Sequence, residues 1–126
     1  MNNVTAIGRI LYALPFAIFG INHFLMTDYY IGMLTSFIPG GAYTIILVGI
    51  LLIVTSISII FKKFVIVATL TLAGLLLLFI LTIHIPHLFS DSDKTTTIIA
   101  LFKDISLMGG SLMISGISSV EKKIKL

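Results

Sequence analysis

Apolar residues in this chain run in four long blocks separated by short polar stretches. A helix crossing the hydrocarbon of a bilayer needs about 20 mostly apolar residues. Four windows reach that length: Val4–Met26, Ala42–Phe61, Phe64–Ile85 and Ile98–Val120. The second and third contain no charged residue, whereas the first holds Arg9 and His23 and the fourth holds Lys103 and Asp104. The pattern predicts one domain over residues 1–126, an all-α, up-down bundle of four transmembrane helices. Only Lys62–Lys63 separates the second and third windows, so those helices are expected to be antiparallel neighbours. Ile38–Pro39–Gly40–Gly41 reads as a turn leading into the second. Arg9 followed by Ile10–Gly20 imitates a signal peptide, but the bulky Ile21–Met26 offers no small-residue cleavage site. The first window is therefore read as a retained helix.

Within the helices the pattern also predicts which faces turn inward. Arg9, Ala13, Phe16, Gly20, His23 and Thr27 recur at spacings of four, three, four, three and four, which places them on one stripe. Charged groups in a span face the bundle rather than lipid, so this stripe should be buried, with Gly20 letting a neighbouring backbone approach beneath His23. Pro15 removes a backbone donor from the same helix and should kink it. In the second helix Ala42, Gly49 and Ser56 repeat every seven residues, a small-residue seam suited to close helix contact. In the fourth, Asp104, Met108, Ser111, Ser115 and Ser119 share a stripe. Lys103 lies about 100° away, so it should point elsewhere. Gly109–Gly110 weakens helix propensity, and close packing or a ligand is the expected reason for it.

Composition narrows the function classes. Of 126 residues 58% are hydrophobic and 10% charged, with a mean hydropathy of +1.18. A water-soluble domain carries about a quarter charged residues, so a soluble enzyme and a disordered chain are excluded. No cysteine is present, which removes disulfides, thiolate metal sites and dithiol relays. The net charge of +3 comes from lysines at the ends of apolar runs, not from a basic surface interleaved with aromatics, so no nucleic-acid partner is expected. Arg9, Lys62–Lys63 and Lys122–Lys123–Lys125 fall on one side of the predicted bundle. The Thr27–Gly41 loop has no Lys or Arg, and Pro86–Thr97 has only Lys94 against Asp91 and Asp93. The positive-inside rule then puts both termini in the cytoplasm and Tyr29, Tyr30 and Tyr43 near the outer interface.

The candidate chemistry sits at the outer side. Asn22 and His23 close the first helix, His84 closes the third, and Lys103 and Asp104 lie in the first turns of the fourth, about 8 Å below its start. His87 is expected in the following loop, and Asp28, Tyr29 and Tyr30 just above His23. Two readings stand. In the structural one, the histidines and Asp104 tie helix ends together while Lys103 snorkels to the interface. In the functional one, His23, His84 and Asp104 converge in a pocket, with Lys103 at its rim and Arg9 outside it, because ionisable groups in a span mark functional sites. A His–Asp–Lys set can move protons or hydrogen-bond the head of a lipophilic carrier such as a quinone. Bis-histidine haem ligation by His23 and His84 is a weaker reading, and no dedicated metal site is expected.

Taken together these residues resemble the DoxX and DoxX-like family of small four-helix membrane proteins. The resemblance runs from about Ile7 to Gly116. It rests on Arg9, Phe19–Gly20–Ile21–Asn22–His23–Phe24, Ile38–Pro39–Gly40, Gly49, His84–Ile85–Pro86 and Lys103–Asp104–Ile105–Ser106–Leu107–Met108–Gly109–Gly110. It implies a multi-pass protein of the bacterial cytoplasmic membrane and a component of an oxidoreductase system, since the family name comes from a subunit associated with an archaeal quinol oxidase. The expected partners are the lipid bilayer and a membrane redox protein or further copies of the chain. The alternative is a non-enzymatic membrane scaffold or a small-solute transporter subunit.

Overall fold

The computed structural model describes residues 3–26, 41–90 and 94–125, and the regular structure among them is helical throughout. In chain order these are α1 (Asn3–Leu25), α2 (Ala42–Ile60), α3 (Val65–Phe79), a π-helical turn (Ile80–His84), α4 (Ile85–Ser90) and α5 (Lys94–Lys125). α3, the π-turn and α4 follow without a break and form one rod. Among the described residues four helical stretches are long and apolar enough to cross a membrane: Asn3–Leu25, Tyr43–Ile60, Val65–Phe89 and Lys94–Ile124. Thr27, Asp28–Tyr30, Ile38–Gly40 and the side chain of Ala42 lie outside the described residues.

The helix ends depart from the hydropathy windows in two places. The third rod continues to Ser90 rather than stopping at Ile85, and α5 begins at Lys94 rather than Ile98 and runs on to Lys125. Hydropathy registers only the apolar part of a helix, while polar first and last turns are helical too. His87 accordingly lies in α4 and not in a loop. The π-turn has a local cause. In a straight α-helix the ring of Pro86 would clash with the carbonyl of Thr82. The widened turn, in which the Ile85 N–H reaches back to Ile80 O, makes room for it. α1, by contrast, runs unbroken through Pro15.

Both ends of the described chain meet at one end of the bundle. There α2 finishes in a Schellman-type cap: Lys62 adopts φ 58°, its N–H bonds Ile59 O, and the Lys63 N–H bonds Ser58 O. Arg9 of α1 donates to the carbonyls of Ile59 and Ile60 and so places a cation on the carboxyl end of α2. Lys62 Nζ lies 3.2 Å from Glu121 Oε2, which brings the end of α5 to the same place. This is the basic end, and the opposite one is called the far end.

The buried stripe of α1 is as expected for its described part: Arg9, Ala13, Phe16, Gly20 and His23. Ala13 and Phe16 join Leu52 and Ile59 of α2 and Ala68, Leu72, Leu75 and Leu76 of α3 in a single core. Hydroxyls and one phenol pin the helices pairwise through backbone acceptors. Ser56 donates to Ala13 O at 2.7 Å, Ser111 to Thr69 O at 2.7 Å, and Tyr12 to Leu107 O at 2.5 Å. Interhelical hydrogen bonds of this kind supplement packing where apolar side chains alone give little preference. α1 and α2 approach closest at two glycines. A Cβ on Gly20 would stand 2.8 Å from Gly49 O, and one on Gly49 would stand 2.9 Å from the His23 Cβ. Of the Gly109–Gly110 pair only Gly110 packs, its absent Cβ giving room for the Tyr12 ring at 3.1 Å. Among the described residues Gly109 meets nothing within 4 Å.

Candidate functional site

A cavity of about 250 Å³ opens among all four rods in the far half of the bundle. α1 contributes Phe16, Phe19 and His23, α2 Leu52, α3 Leu76 and Phe79, the π-turn Ile83 and His84, and α5 Lys103, Asp104 and Leu107. The helix directions sort these by depth. His23, His84, Lys103 and Asp104 stand toward the far end, while Phe16, Leu52, Leu76 and Leu107 lie toward the middle. The cavity is thus polar at one end and apolar at the other. Phe16 and Phe19 form a fixed aromatic wall, their rings 6.0 Å apart and nearly perpendicular.

The polar end is organised around Asp104, which is 4% exposed. A buried carboxylate is costly unless hydrogen-bonded, and Asp104 has two partners. His84 donates from Nε2 to Oδ2 at 2.6 Å, and Lys103 Nζ lies 3.5 Å from Oδ1. The lysine contact corrects the expectation that adjacent Lys103 and Asp104 point apart. Their Cα–Cβ bonds do diverge, but the long stem of Lys103 folds back and leaves its head half in the open at the rim. His23 donates from Nδ1 to Phe19 O at 2.6 Å, one turn earlier in its own helix, which fixes the ring against the cavity.

The sequence-predicted set is therefore brought together with one exception. His23, His84, Asp104 and Lys103 share the cavity, and Arg9 stands apart at the basic end. Asn22 does not line it, because it follows the helix about 100° round from His23. The cluster also sits deeper than the hydropathy windows placed it: Asp104 is ten residues into α5, about 15 Å along the axis. Sequence reasoning missed the walls. Leu52, Leu76, Phe79, Ile83 and Leu107 are ordinary apolar residues in apolar helices, with no local mark that sets them apart from packing residues.

The arrangement can hold a polar ring group in an otherwise apolar slot. Asp104 holds His84 in the Nε2–H tautomer, leaving Nδ1 as the ring nitrogen open to the cavity. That commitment of Nε2 to Asp104 takes it from axial haem ligation. Among the described residues no three His, Cys, Asp or Glu side chains gather as a metal site. No family model, curated protein or solved structure matches the chain.

Proposed function

We propose that the chain is a DoxX-like integral membrane protein of the bacterial cytoplasmic membrane, with both termini cytoplasmic. In this reading its far-end cavity faces the outer leaflet and receives the ring head of a quinone-like carrier, as part of a redox-associated assembly. The observation that carries the reading is the buried His84–Asp104 pair at the polar end of an apolar cavity, with Lys103 at the rim. Ligand pockets commonly enclose about 300–1,000 Å³. A cavity of about 250 Å³ takes one ring-sized head and leaves a tail to run out between helices. Lys103 is the donor available to a carbonyl oxygen, and the Nδ1 of His84, whose Nε2–H is held by Asp104, can take up the proton of a ring hydroxyl. A quinone supplies the electron-carrying chemistry. The chain has no cysteine to relay electrons, so they come from a separate membrane partner.

Two measurements test this. Protein purified in mild detergent and extracted for mass spectrometry should carry a quinone-type lipid, at lower occupancy in Asp104→Asn. If none co-purifies and none binds when added, the scaffold or small-solute transporter reading takes its place. Sidedness is tested by single cysteines, since the chain has none of its own. A cysteine replacing Lys94 should react with an impermeant maleimide from outside intact cells, and cysteines at Lys63 or Lys123 should not. The reverse pattern would place the cavity in the inner leaflet.

A further inference from the structure

The basic end holds a second cavity, of about 420 Å³, between the start of α3 and the end of α5. Its walls combine Phe64, Val65, Ile66 and Val67 with Lys62, Ser118, Glu121 and Lys122. It is independent of the far-end site and of the redox reading; it rests only on the chain lying in a bilayer. Two unsatisfied features line it and a third lies beside it. First, Phe64 caps α3 in a left-handed conformation without any side-chain hydrogen bond, and the first intrahelical bond in this stretch is Ala68 N–H to Phe64 O. The amides of Val65, Ile66 and Val67 therefore have no acceptor within the helix, and they lie at its positive dipole end. Second, Glu121 uses Oε2 for Lys62, while its Oε1 is buried without a hydrogen-bond partner among the described residues. Third, Arg9 is 9% exposed, its Nε is likewise buried and unpartnered, and it has no carboxylate partner among the described residues. Arg9 lines a small cavity of about 20 Å³ that shares Ser118 as a wall with the larger one.

Cations and orphaned amides call for an anion, and the orphaned carboxylate oxygen calls for a hydrogen-bond donor. Lys62 and Lys122 against Glu121 leave one net positive charge in the lining, which matches a singly charged phosphodiester. The apolar walls, with Phe64 and Val67 largely exposed, suit acyl chains and not a free anion. We infer that this cleft binds an anionic phospholipid with a hydroxylated headgroup of the phosphatidylglycerol type. Its phosphate lies against Lys62, Lys122 and the amino end of α3, and the Glu121 carboxylate turns so that Oε1 accepts from its headgroup hydroxyl.

Native mass spectrometry of the full chain in detergent micelles tests this with four added lipids or analogues. Phosphatidylglycerol should bind more tightly than phosphatidylcholine, and Lys62→Gln and Lys122→Gln should each weaken it about fivefold. Lys94→Gln, at the far end, should leave binding unchanged. Phosphatidylmethanol has the same charge but no donor, and should bind less well than phosphatidylglycerol. Glu121→Ala should remove that difference while binding both more tightly. Soluble glycerol phosphate should not compete. Equal binding of phosphatidylglycerol and phosphatidylcholine overturns the proposal, as does an undiminished preference in the two lysine variants. Competition by glycerol phosphate overturns the lipid as ligand, and indifference between the two anionic lipids overturns the role of Glu121.

Discussion

Gly49→Leu should cost the bundle more stability than any other single apolar substitution, and Gly20→Ala should already be felt. The Gly20 Cβ would meet Gly49 O at 2.8 Å and Ile53 N at 3.1 Å, both backbone atoms that cannot turn aside. Overpacking of this kind costs about 1–3 kcal/mol, and a full leucine at Gly49 must part α1 from α2. The measurement is reversible unfolding in mixed micelles of mild detergent and dodecyl sulfate. Gly109→Ala and Gly74→Ala are the controls. Their added Cβ atoms meet nothing within 4 Å, so better helix propensity should leave stability unchanged or raise it by up to about 1 kcal/mol. Equal losses at Gly20 and Gly109 would mean that the α1–α2 crossing is not the close contact described.

Asp104→Leu should be the most damaging change at the far-end site. It strips His84 of its acceptor in a pair whose side chains are 14% and 6% exposed, and it leaves Lys103 with no counter-charge. A hydrogen bond to a charged group contributes about 1.5–3 kcal/mol, whereas interhelical polar contacts in bilayers average about 0.6 kcal/mol. A loss of roughly 1–2 kcal/mol lies between the two. Asp104→Asn keeps the shape and one acceptor oxygen, so it should retain most of the stability while the His84 ring nitrogen shifts seen by NMR move with the changed hydrogen-bond partner. Unaltered ring shifts in Asp104→Asn would show that Asp104 is not the acceptor for that ring.

How much of this was legible in the sequence depends on how strongly each residue departs from its surroundings. Arg9, His23 and Asp104 are expensive in an apolar helix, so their positions alone define the inward faces of α1 and α5. Gly20 and Gly49 were legible for the opposite reason, since a missing side chain inside a bulky helix implies a close neighbour. The cavity walls were not. Leu52, Leu76 and Phe79 look like Leu47, Leu77 and Leu78 in composition, and only the three-dimensional crossing of the rods decides which leucine faces the slot. Tyr12 carries no such mark, because a mid-helix tyrosine serves as well for apolar packing as for an interhelical bond to Leu107. The rim position of Lys103 was legible but its contact with Asp104 was not, because helical geometry fixes a Cα–Cβ bond and leaves the three carbons beyond it free to bend.

The widened turn at Ile80–His84 also settles the angular phase of the third rod. Counting at about 100° per residue, His84 would stand about 80° round from Leu76 in an uninterrupted α-helix. A π-turn absorbs one residue without advancing the helix, so His84 takes the heading of the seventh residue after Leu76, about 20° off it. Both side chains then open onto the same slot. Below the turn the rod keeps the face that packs Leu72 and Leu76, and above it the face is wound back by one step. The turn acts as a phase shifter, so the packing half and the polar half of one helix can each be in register with α5.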